Sequence, residues 1–531
     1  MEKIVLPDGY EDKNEEVTDT NLVDGLEVAT NFTTTENGAV THKSTLSKLL
    51  DFFGAGGAMR QRSDKDIETL FGNAWGDDEL LALKTLFYFR DVRGGQGERR
   101  MFRVALRSLA EGRPEVVCSN LDNIAFYGRW DDLFCLRDTK CWNNVLELVK
   151  EQFKKDMEDS SRNKPVSLLG KWLPSVNASS KDTVKLAKHF AKQLGLRHRE
   201  YRKALSQLRT AIDVVEKKMT KKRWADINYS SVPSNAGLKY RGAFSKHDGA
   251  RYGEFLEAVA KGEKTINAGT LYPYDVVSKA LVHRFNSTAT DTKTLDALWN
   301  NLPDYLEGKP HKGLVVADVS GSMTSGCGSV APIDVSISLA LYIAERNTDP
   351  TFGGAFLTFT DKPSLERVRG ENIVEKAYNL NSSEWGYNTN LQSAFDVILR
   401  TAQDNNLTQD SIPEMVYIVS DMEFDEACSG NGHTHWDADP ATDPSAKEVT
   451  NFQLIRKKFA DAGFEAPNLV FWNVNARSAQ FPMTTNDDGV CIVSGCSPAI
   501  LKAILSGNQI DPMQVLYDAV NVERYDRVVV Y

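Results

Sequence analysis

The sequence predicts an α-helical N-terminal part followed by a C-terminal α/β part that contains a doubly wound, parallel sheet. From about residue 46 to residue 308, apolar residues recur at helical spacing without a useful length of strand-like alternation. From residue 311 to residue 531, short apolar runs alternate with amphipathic stretches, as in a parallel sheet covered by helices on both faces. A chain of 531 residues is also too long for a single core, so two domains are expected.

The composition is that of an ordinary soluble protein, with 41% hydrophobic and 26% charged residues. No apolar stretch approaches the roughly 20 residues that span a bilayer, and residues 1–7 lack the apolar core of a signal peptide. The seven cysteines are scattered and form no C-x-x-C pair, which argues against a disulfide framework or a zinc site. We therefore expect a cytoplasmic protein that does not associate with membranes.

Residues 1–40 are expected to form an acidic mobile tail. They hold ten acidic and two basic residues and few large apolar ones.

Residues 41–308 are expected to form the helical domain. Residues 80–89 are apolar on more than one face, which predicts a helix buried between two others. Apolar residues repeat at helical spacing in residues 101–109 and 145–153, and a further helix is expected to end just before Pro174. Serial helices with short links predict a HEAT-like helical-repeat array, although no strict sequence period is present.

Residues 309–531 are expected to form a Rossmann-like α/β domain. The predicted strands are 314–319, 354–360, 415–420, 469–474 and 489–494, and the predicted helices are 334–346, 391–403, 449–462 and 498–506. In such folds ligands gather at the carboxyl ends of the strands.

Hard oxygen donors follow two of these strands. Asp318, Ser320 and Ser322 form a D-x-S-x-S motif directly after the first strand, and Asp421 follows the strand 415–420. Thr389 lies between them, at the start of a predicted helix. Two carboxylates and three hydroxyls from three loops at one sheet edge are the ligands that Mg²⁺ or Mn²⁺ prefers. The alternative is a tight turn in which these side chains only cap a helix.

The charge distribution indicates an anionic partner for one segment. Residues 161–223 hold 17 Lys and Arg against 4 Asp and Glu, whereas residues 311–531 hold 15 against 29. The candidate contacts for RNA are the basic residues of predicted helices in this segment: Lys185, Lys188, Lys192, Arg199, Arg202, Lys203 and Arg209. The alternative is a solvated helical surface with no partner.

Several motifs together resemble known families. Residues 311–531, with the order D-x-S-x-S, Thr, Asp, resemble a von Willebrand factor A domain with its adhesion-type metal motif. The helical part resembles the TROVE module of Ro ribonucleoproteins, and more closely an uncharacterised family that pairs such a TROVE-like module with this domain. The runs that carry the resemblance are 89–99, 171–175, 201–205, 232–236 and 420–424. It implies a helical ring or arc that is closed by the A domain and that holds small structured or misfolded RNA.

Two further patterns are each open to two interpretations. The glycine-rich run 93–100 is either a phosphate-binding nest at a helix N-terminus or a plain turn between helices. His433 and His435 form an H-x-H pattern that suits a transition metal, but such a polar insertion is more often a plain loop. Cys491 and Cys496 are expected to be buried thiols.

No catalytic motif emerges, so we expect neither an enzyme nor a small-molecule substrate. The main alternative to RNA binding is a protein–protein scaffold in which the metal ion captures a partner's carboxylate.

Overall fold

We describe a computed structural model of the chain. It describes residues 30–283, 288–324, 330–358, 363–382, 389–425, 449–478, 480–506 and 510–531.

The N-terminal part is helical, as the sequence predicts. In chain order its α-helices are α1 (Lys48–Gly56), α2 (Asp64–Asp77), α3 (Glu79–Arg90), α4 (Arg100–Gly112), α5 (Pro114–Ser119), α6 (Leu121–Tyr127), α7 (Trp142–Ser161), α8 (Leu169–Trp172), α9 (Lys181–Gln193), α10 (His198–Ala211), α11 (Val215–Thr220), α12 (Ser234–Ala260), α13 (Pro273–His283) and α14 (Ala289–Asn300).

Local sequence fixes several of these helix ends. Ser63 and Asp66 form a reciprocal capping box that starts α2. Asp78 ends α2 and, through its side chain, accepts the Leu81 N–H to start α3. Helix α3 buries every residue from Ala82 to Arg90, in agreement with the prediction of a helix packed between others.

The C-terminal part contains a six-stranded sheet in the order β5-β4-β3-β6-β7-β8. Its strands are β3 (Gly313–Ala317), β4 (Ala355–Thr358), β5 (Leu365–Arg367), β6 (Met415–Ser420), β7 (Asn468–Asn473) and β8 (Val490–Ser494). All neighbouring strands are parallel except β4 and β5. The five predicted strands are confirmed. The antiparallel edge strand β5 was missed because it has three residues and none of them is buried.

Helices pack around this sheet. They are α15 (Gly321–Thr324), α16 (Pro332–Arg346), α17 (Ile373–Asn381), α18 (Leu391–Asp404), α19 (Asn451–Asp461), α20 (Leu501–Ile504) and α21 (Pro512–Val520). The predicted helices 334–346, 391–403 and 449–462 correspond to α16, α18 and α19. The predicted helix 498–506 is a 3₁₀ turn, Pro498–Ile500, that continues into α20.

The prediction of a mobile tail is wrong for residues 30–40. Strands β1 (Phe32–Thr34) and β2 (Val40–His42) form an antiparallel hairpin that docks on the C-terminal domain. His42 pairs through its backbone with Phe481, and the Thr35 hydroxyl donates to the Phe424 carbonyl at 2.6 Å. These long-range contacts, which composition does not reveal, hold the segment. Residues 1–29 lie outside the described residues.

The two domains share one continuous hydrophobic core. Helix α1 packs on strand β8, where the Ser494 hydroxyl accepts the Gly57 N–H and donates to the Phe53 carbonyl. In the other direction, residues after α21 reach back to the helical domain. The buried Asp91 carboxylate accepts both a two-pronged contact from Arg524 and the Tyr525 hydroxyl.

Among the described helices, none is both long enough and apolar enough to cross a membrane.

Candidate metal site and basic surface

The structure places Asp318 and Asp421 side by side at the carboxyl edge of the sheet. Each follows a strand, and these strands, β3 and β6, are direct neighbours. Both carboxylates are buried, with exposed fractions of 0% and 1%. Asp318 accepts the Ser420 hydroxyl at 2.6 Å and the Ser320 backbone N–H at 2.9 Å, which fixes its orientation.

The electrostatics of this pair favour a cation. Burial raises the pKa of Asp318 above its ordinary value. Burial, and then repulsion from Asp318, raises the pKa of Asp421 to about 6, although a hydrogen bond from Ser322 and the charge of Arg477 act in the opposite direction. Two adjacent carboxylates cannot both ionise cheaply in a buried site unless a positive charge offsets them.

The two serines of the motif lie at the same place. Their hydroxyl oxygens are 3.0 Å apart, and Ser322 also hydrogen-bonds Asp421. The structure therefore brings together four of the five predicted ligands, Asp318, Ser320, Ser322 and Asp421.

Thr389 lies on the same rim, but its hydroxyl contacts other groups. It donates toward the Glu423 carbonyl at 2.9 Å and the Asp425 carboxylate at 3.0 Å, and it accepts the Asn37 amide at 3.2 Å. Asp425 is close enough to Asp318 to raise its pKa. It is a third carboxylate of the rim that the sequence analysis missed. The acidic run that follows Ser420 was the available signal.

Arg477 is a second missed residue. One guanidinium nitrogen lies 3.4 Å from the Asp421 carboxylate, and another lies 2.6 Å from the Glu36 carboxylate of the β1–β2 hairpin. Arg477 therefore links the hairpin to the predicted metal site. No sequence motif marks it, because the contact depends on the path of the loop after β7.

The donor set fits a hard divalent cation. It consists of oxygen atoms only, from carboxylates and hydroxyls, as Mg²⁺ and Mn²⁺ prefer. Within the described ranges, no group of three or more His, Cys, Asp and Glu side chains is arranged to hold a metal. Any ion at this rim would therefore depend on the serine hydroxyls and on water as well as on the two buried carboxylates. His433 and His435 lie outside the described residues.

Most of the predicted RNA contacts are exposed on α9 and α10. Lys185, Lys188 and Lys192 follow one face of α9, opposite the buried Ala187 and Phe190. Arg199, Arg202 and Lys203 follow the exposed face of α10, which packs on α9. We call these six residues the basic surface. Lys185 pairs with Asp182 at 3.4 Å, and the other five have no ion pair within the part of the chain that the structure describes.

Arg209 has a different environment from the other predicted contacts. Its guanidinium donates to the carbonyls of Gly170 and Leu173 and to the Ser175 hydroxyl, at 2.9 to 3.0 Å. Burial lowers its pKa. Its donors therefore hold the turn after α8 in place.

A groove of about 450 Å³ borders Arg209. Its walls include Lys171, Trp172, Lys217 and Lys221. The Trp172 ring is half-buried, and the Arg129 guanidinium lies 3.8 Å from its centre. The groove therefore combines several cations with one aromatic side chain.

The middle of the glycine-rich run 93–100 is buried and joins the two domains. The buried Gln96 side chain donates to the Tyr88 hydroxyl and accepts the Ser497 N–H of the other domain. Glu98 pairs with Arg60, and Gly97 has a φ of 68°, which favours glycine. Cys491 and Cys496 are buried as expected, and burial raises the pKa of the Cys496 thiol to about 12.

Comparisons with known proteins agree with this organisation. The family described as "Domain of unknown function (DUF7788)" matches residues 312–527, and "Domain of unknown function (DUF2828)" matches residues 35–136 and 138–309. The "Uncharacterized protein L728" of Acanthamoeba polyphaga mimivirus is 28% identical over 526 residues, which cover 92% of this chain and 86% of that protein.

Among solved structures, the Ro (RSR) protein of Deinococcus radiodurans is similar at 14% identity and a TM-score of 0.35, covering 90% of this chain and 100% of that one. The DUF2828 match alone spans more than half of the 531 residues. The chain belongs to the DUF2828 family, domain of unknown function.

Proposed function

We propose that the protein binds RNA through the basic surface and holds Mg²⁺ or Mn²⁺ at the rim of its α/β domain. The observation that carries the RNA proposal is the set of five exposed cations on two adjacent helices that have no ion-pair partner among the described residues. We propose a binding protein and not an enzyme.

The physical basis of RNA affinity is the release of counterions from phosphates. Lysine and arginine side chains that already pair with carboxylates contribute little to it, whereas unpaired and exposed ones contribute fully. The helical spacing of the basic surface points its charges to solvent and its apolar residues inward. The sequence resemblance to Ro ribonucleoproteins favours the same class of partner.

The groove beside Arg209 supports recognition of unpaired bases. An aromatic ring among lysines suits base stacking next to phosphate contacts, as in single-stranded RNA recognition. We propose that Trp172 supplies this stacking, with Lys217 and Lys221 beside it.

At the metal rim, we propose that Asp318, Ser320, Ser322 and Asp421 hold the ion, with Thr389 nearby. When bound, the cation would offset the repulsion between the two buried carboxylates. Arg477 must then share Asp421 with the ion or move away from it.

The RNA proposal is tested by charge reversal of Lys185, Lys188, Arg199 and Arg202 together. We expect binding of a structured RNA to weaken at least tenfold, and the slope of log affinity against log salt to fall by about 3. Filter binding from about 50 to 200 mM salt measures both. Reversal of four exposed lysines on or after α12 (Lys239, Lys246, Lys261 and Lys264) is the matched control. Equal losses in both variants, or affinity that does not depend on salt, would contradict the proposal.

A metal-dependent protein scaffold is the second candidate, because Ser322 is partly exposed at the rim beside a buried carboxylate. The Asp318→Ala variant separates RNA binding from a metal-dependent scaffold function. We expect this variant to lose Mg²⁺ and Mn²⁺ uptake in calorimetry, and to lose the rise in melting temperature that the ion gives to the parent protein. Unchanged RNA affinity with loss of a protein partner would favour the scaffold. Equal ion uptake by variant and parent would exclude the metal site.

A further inference from the structure

A second site is suggested by an open cleft between the two domains. It has a volume of about 650 Å³, which is in the range of small-molecule sites. One wall comes from the start of α4, and another comes from Val474 and Asn475, just after β7. The cleft is separate from the basic surface on α9 and α10.

The charge that faces the cleft is positive. Four arginines line it (Arg60, Arg99, Arg100 and Arg103), against two acids, Asp64 and Glu98. Three of these arginines already have partners: Arg60 pairs with Glu98, Arg100 pairs with Asp64, and Arg103 pairs with Asp131 and Asp132.

Arg99 is the exception. Part of its side chain reaches solvent and part is covered by neighbours, and it forms no ion pair with any residue that the structure describes. Partial burial, and then repulsion from Arg129, Arg103 and Arg90, lowers its pKa. Asp132 acts in the opposite direction, but it already pairs with Arg90 and Arg103. An arginine that is held among other arginines, with no acid of its own, favours an anion from outside the protein.

Two further donors face or border the same space. Helix α4 begins at Arg100, directly after Arg99, and no side chain caps it, so its first N–H groups and helix dipole favour negative charge there. Asn475 also lines the cleft, is only 3% exposed, and its amide nitrogen has no hydrogen-bond partner among the described residues. A buried donor without a partner is costly, and a ligand oxygen would satisfy it.

Apolar side chains make up much of the rest of the lining. Val104, Val330, Pro332, Val335 and Val474 belong to it together with the Tyr274 ring. An inorganic ion would leave this surface exposed to water, whereas a phosphorylated organic molecule would cover it.

We propose that this cleft binds the phosphate group of a small phosphate ester of about nucleotide size, with Arg99 as the main contact and Asn475 as a second donor. The arginine fork matches two phosphate oxygens, and the apolar wall receives the organic part.

The test is calorimetry on the full chain in magnesium-free buffer, so that a metal-bound phosphate does not contribute. The probes are a ribonucleoside 5′-monophosphate, inorganic phosphate and the unphosphorylated ribonucleoside. We expect the monophosphate to bind most tightly, inorganic phosphate to bind more weakly and the ribonucleoside not to bind. The absence of binding by both phosphate probes would overturn the proposal, as would equal binding of the ribonucleoside and the monophosphate.

Variants then assign the contacts. Arg99→Ala should weaken monophosphate binding at least tenfold, Arg99→Lys should weaken it less, and Asn475→Ala should weaken it several-fold. Arg93→Ala is the matched control, because Arg93 is an exposed arginine of the same loop that does not line the cleft. Arg99 has no ion-pair partner to lose among the described residues, so its variants should melt at the parent temperature. Unchanged affinity in Arg99→Ala, or the same loss in Arg93→Ala, would refute the assignment.

Discussion

At the scale of single residues, the proposed metal site depends on two buried carboxylates. Asp318 and Asp421 were predictable because each directly follows a run of apolar residues that ends at the same edge of a sheet. Asp425 was indicated only by the acidic run after Ser420, and Arg477 by no motif, since their approach to that edge depends on how two loops turn after their strands. Sequence patterns therefore identify residues that directly follow a regular element better than residues that lie farther along a loop.

The carboxyl group of Asp275 should make the free energy of unfolding depend on pH. Burial raises the pKa of its carboxyl from 3.8 to about 6, although the Tyr272 N–H and Arg60 act in the opposite direction. Because the folded-state pKa is the higher one, the unfolded state ionises first as pH rises, and the free energy of unfolding falls between about pH 4 and pH 6. Asp275→Asn should remove about 1 to 3 kcal/mol of this fall.

Urea unfolding of the parent and the Asn variant at pH 4, 5, 6 and 7 measures the difference. Asparagine can still accept the Tyr272 N–H, so the comparison isolates the charge. Parallel stability curves for the two proteins would contradict the assignment.

At the scale of elements, the apolar strands were predictable and the short polar ones were not. Strands β3 and β6 are fully buried and read as continuous apolar runs. Strands β1, β2 and β5 have three residues each and carry Thr, His, Glu or Arg, so no periodicity distinguishes them from loops. They become strands because a partner strand is nearby in the fold.

Glycines at two places should respond in opposite ways to substitution by alanine. In Gly95→Ala the new Cβ atom would overlap the carbonyl oxygen of Tyr88, which is backbone and cannot move aside cheaply. We expect a loss of about 2 kcal/mol or more in the free energy of unfolding. In α2, Gly72 is exposed and nothing lies within 4 Å of a Cβ atom placed there. Gly72→Ala should therefore stabilise the protein by about 1 kcal/mol.

Urea unfolding of both variants measures the two changes in the free energy of unfolding. Gly72→Ala is the control for replacing a glycine by alanine where there is room for the methyl group. A stable Gly95→Ala protein would mean that the loop before α4 is not packed as described.

At the scale of the whole molecule, each domain is completed by a segment from the other half of the chain. The β1–β2 hairpin docks on the α/β domain beside the proposed metal site. Residues 524–529 dock on the helical domain, where Asn120 donates to the Val529 carbonyl and Asn123 donates to the Arg527 carbonyl. The predicted boundary near residue 308 describes the order of the elements, but it does not divide the molecule into independent bodies. Composition could not reveal this exchange, because docking depends on specific long-range contacts.

The ion pair of Arg524 with Asp91 should link the domains strongly. Asp91 is fully buried, so Arg524→Ala would leave a buried carboxylate without its cation, at a cost of about 3 kcal/mol. The matched control is Arg527→Ala, which removes an exposed arginine that stacks on Phe126. Calorimetric melting should show a clear drop in temperature for the first variant and a small one for the second. Similar melting temperatures would show that the pair does not join the domains.

The exchange of segments also has a consequence for synthesis on the ribosome. Asn120 and Val529 are separated by 409 positions, so on the order of a minute passes between their translation. During that time the helical half has emerged without the residues that neutralise Asp91 and cover Asn120. Its final folding must therefore wait until residues 524–529 have been made, and until then Asp91 lacks its cation.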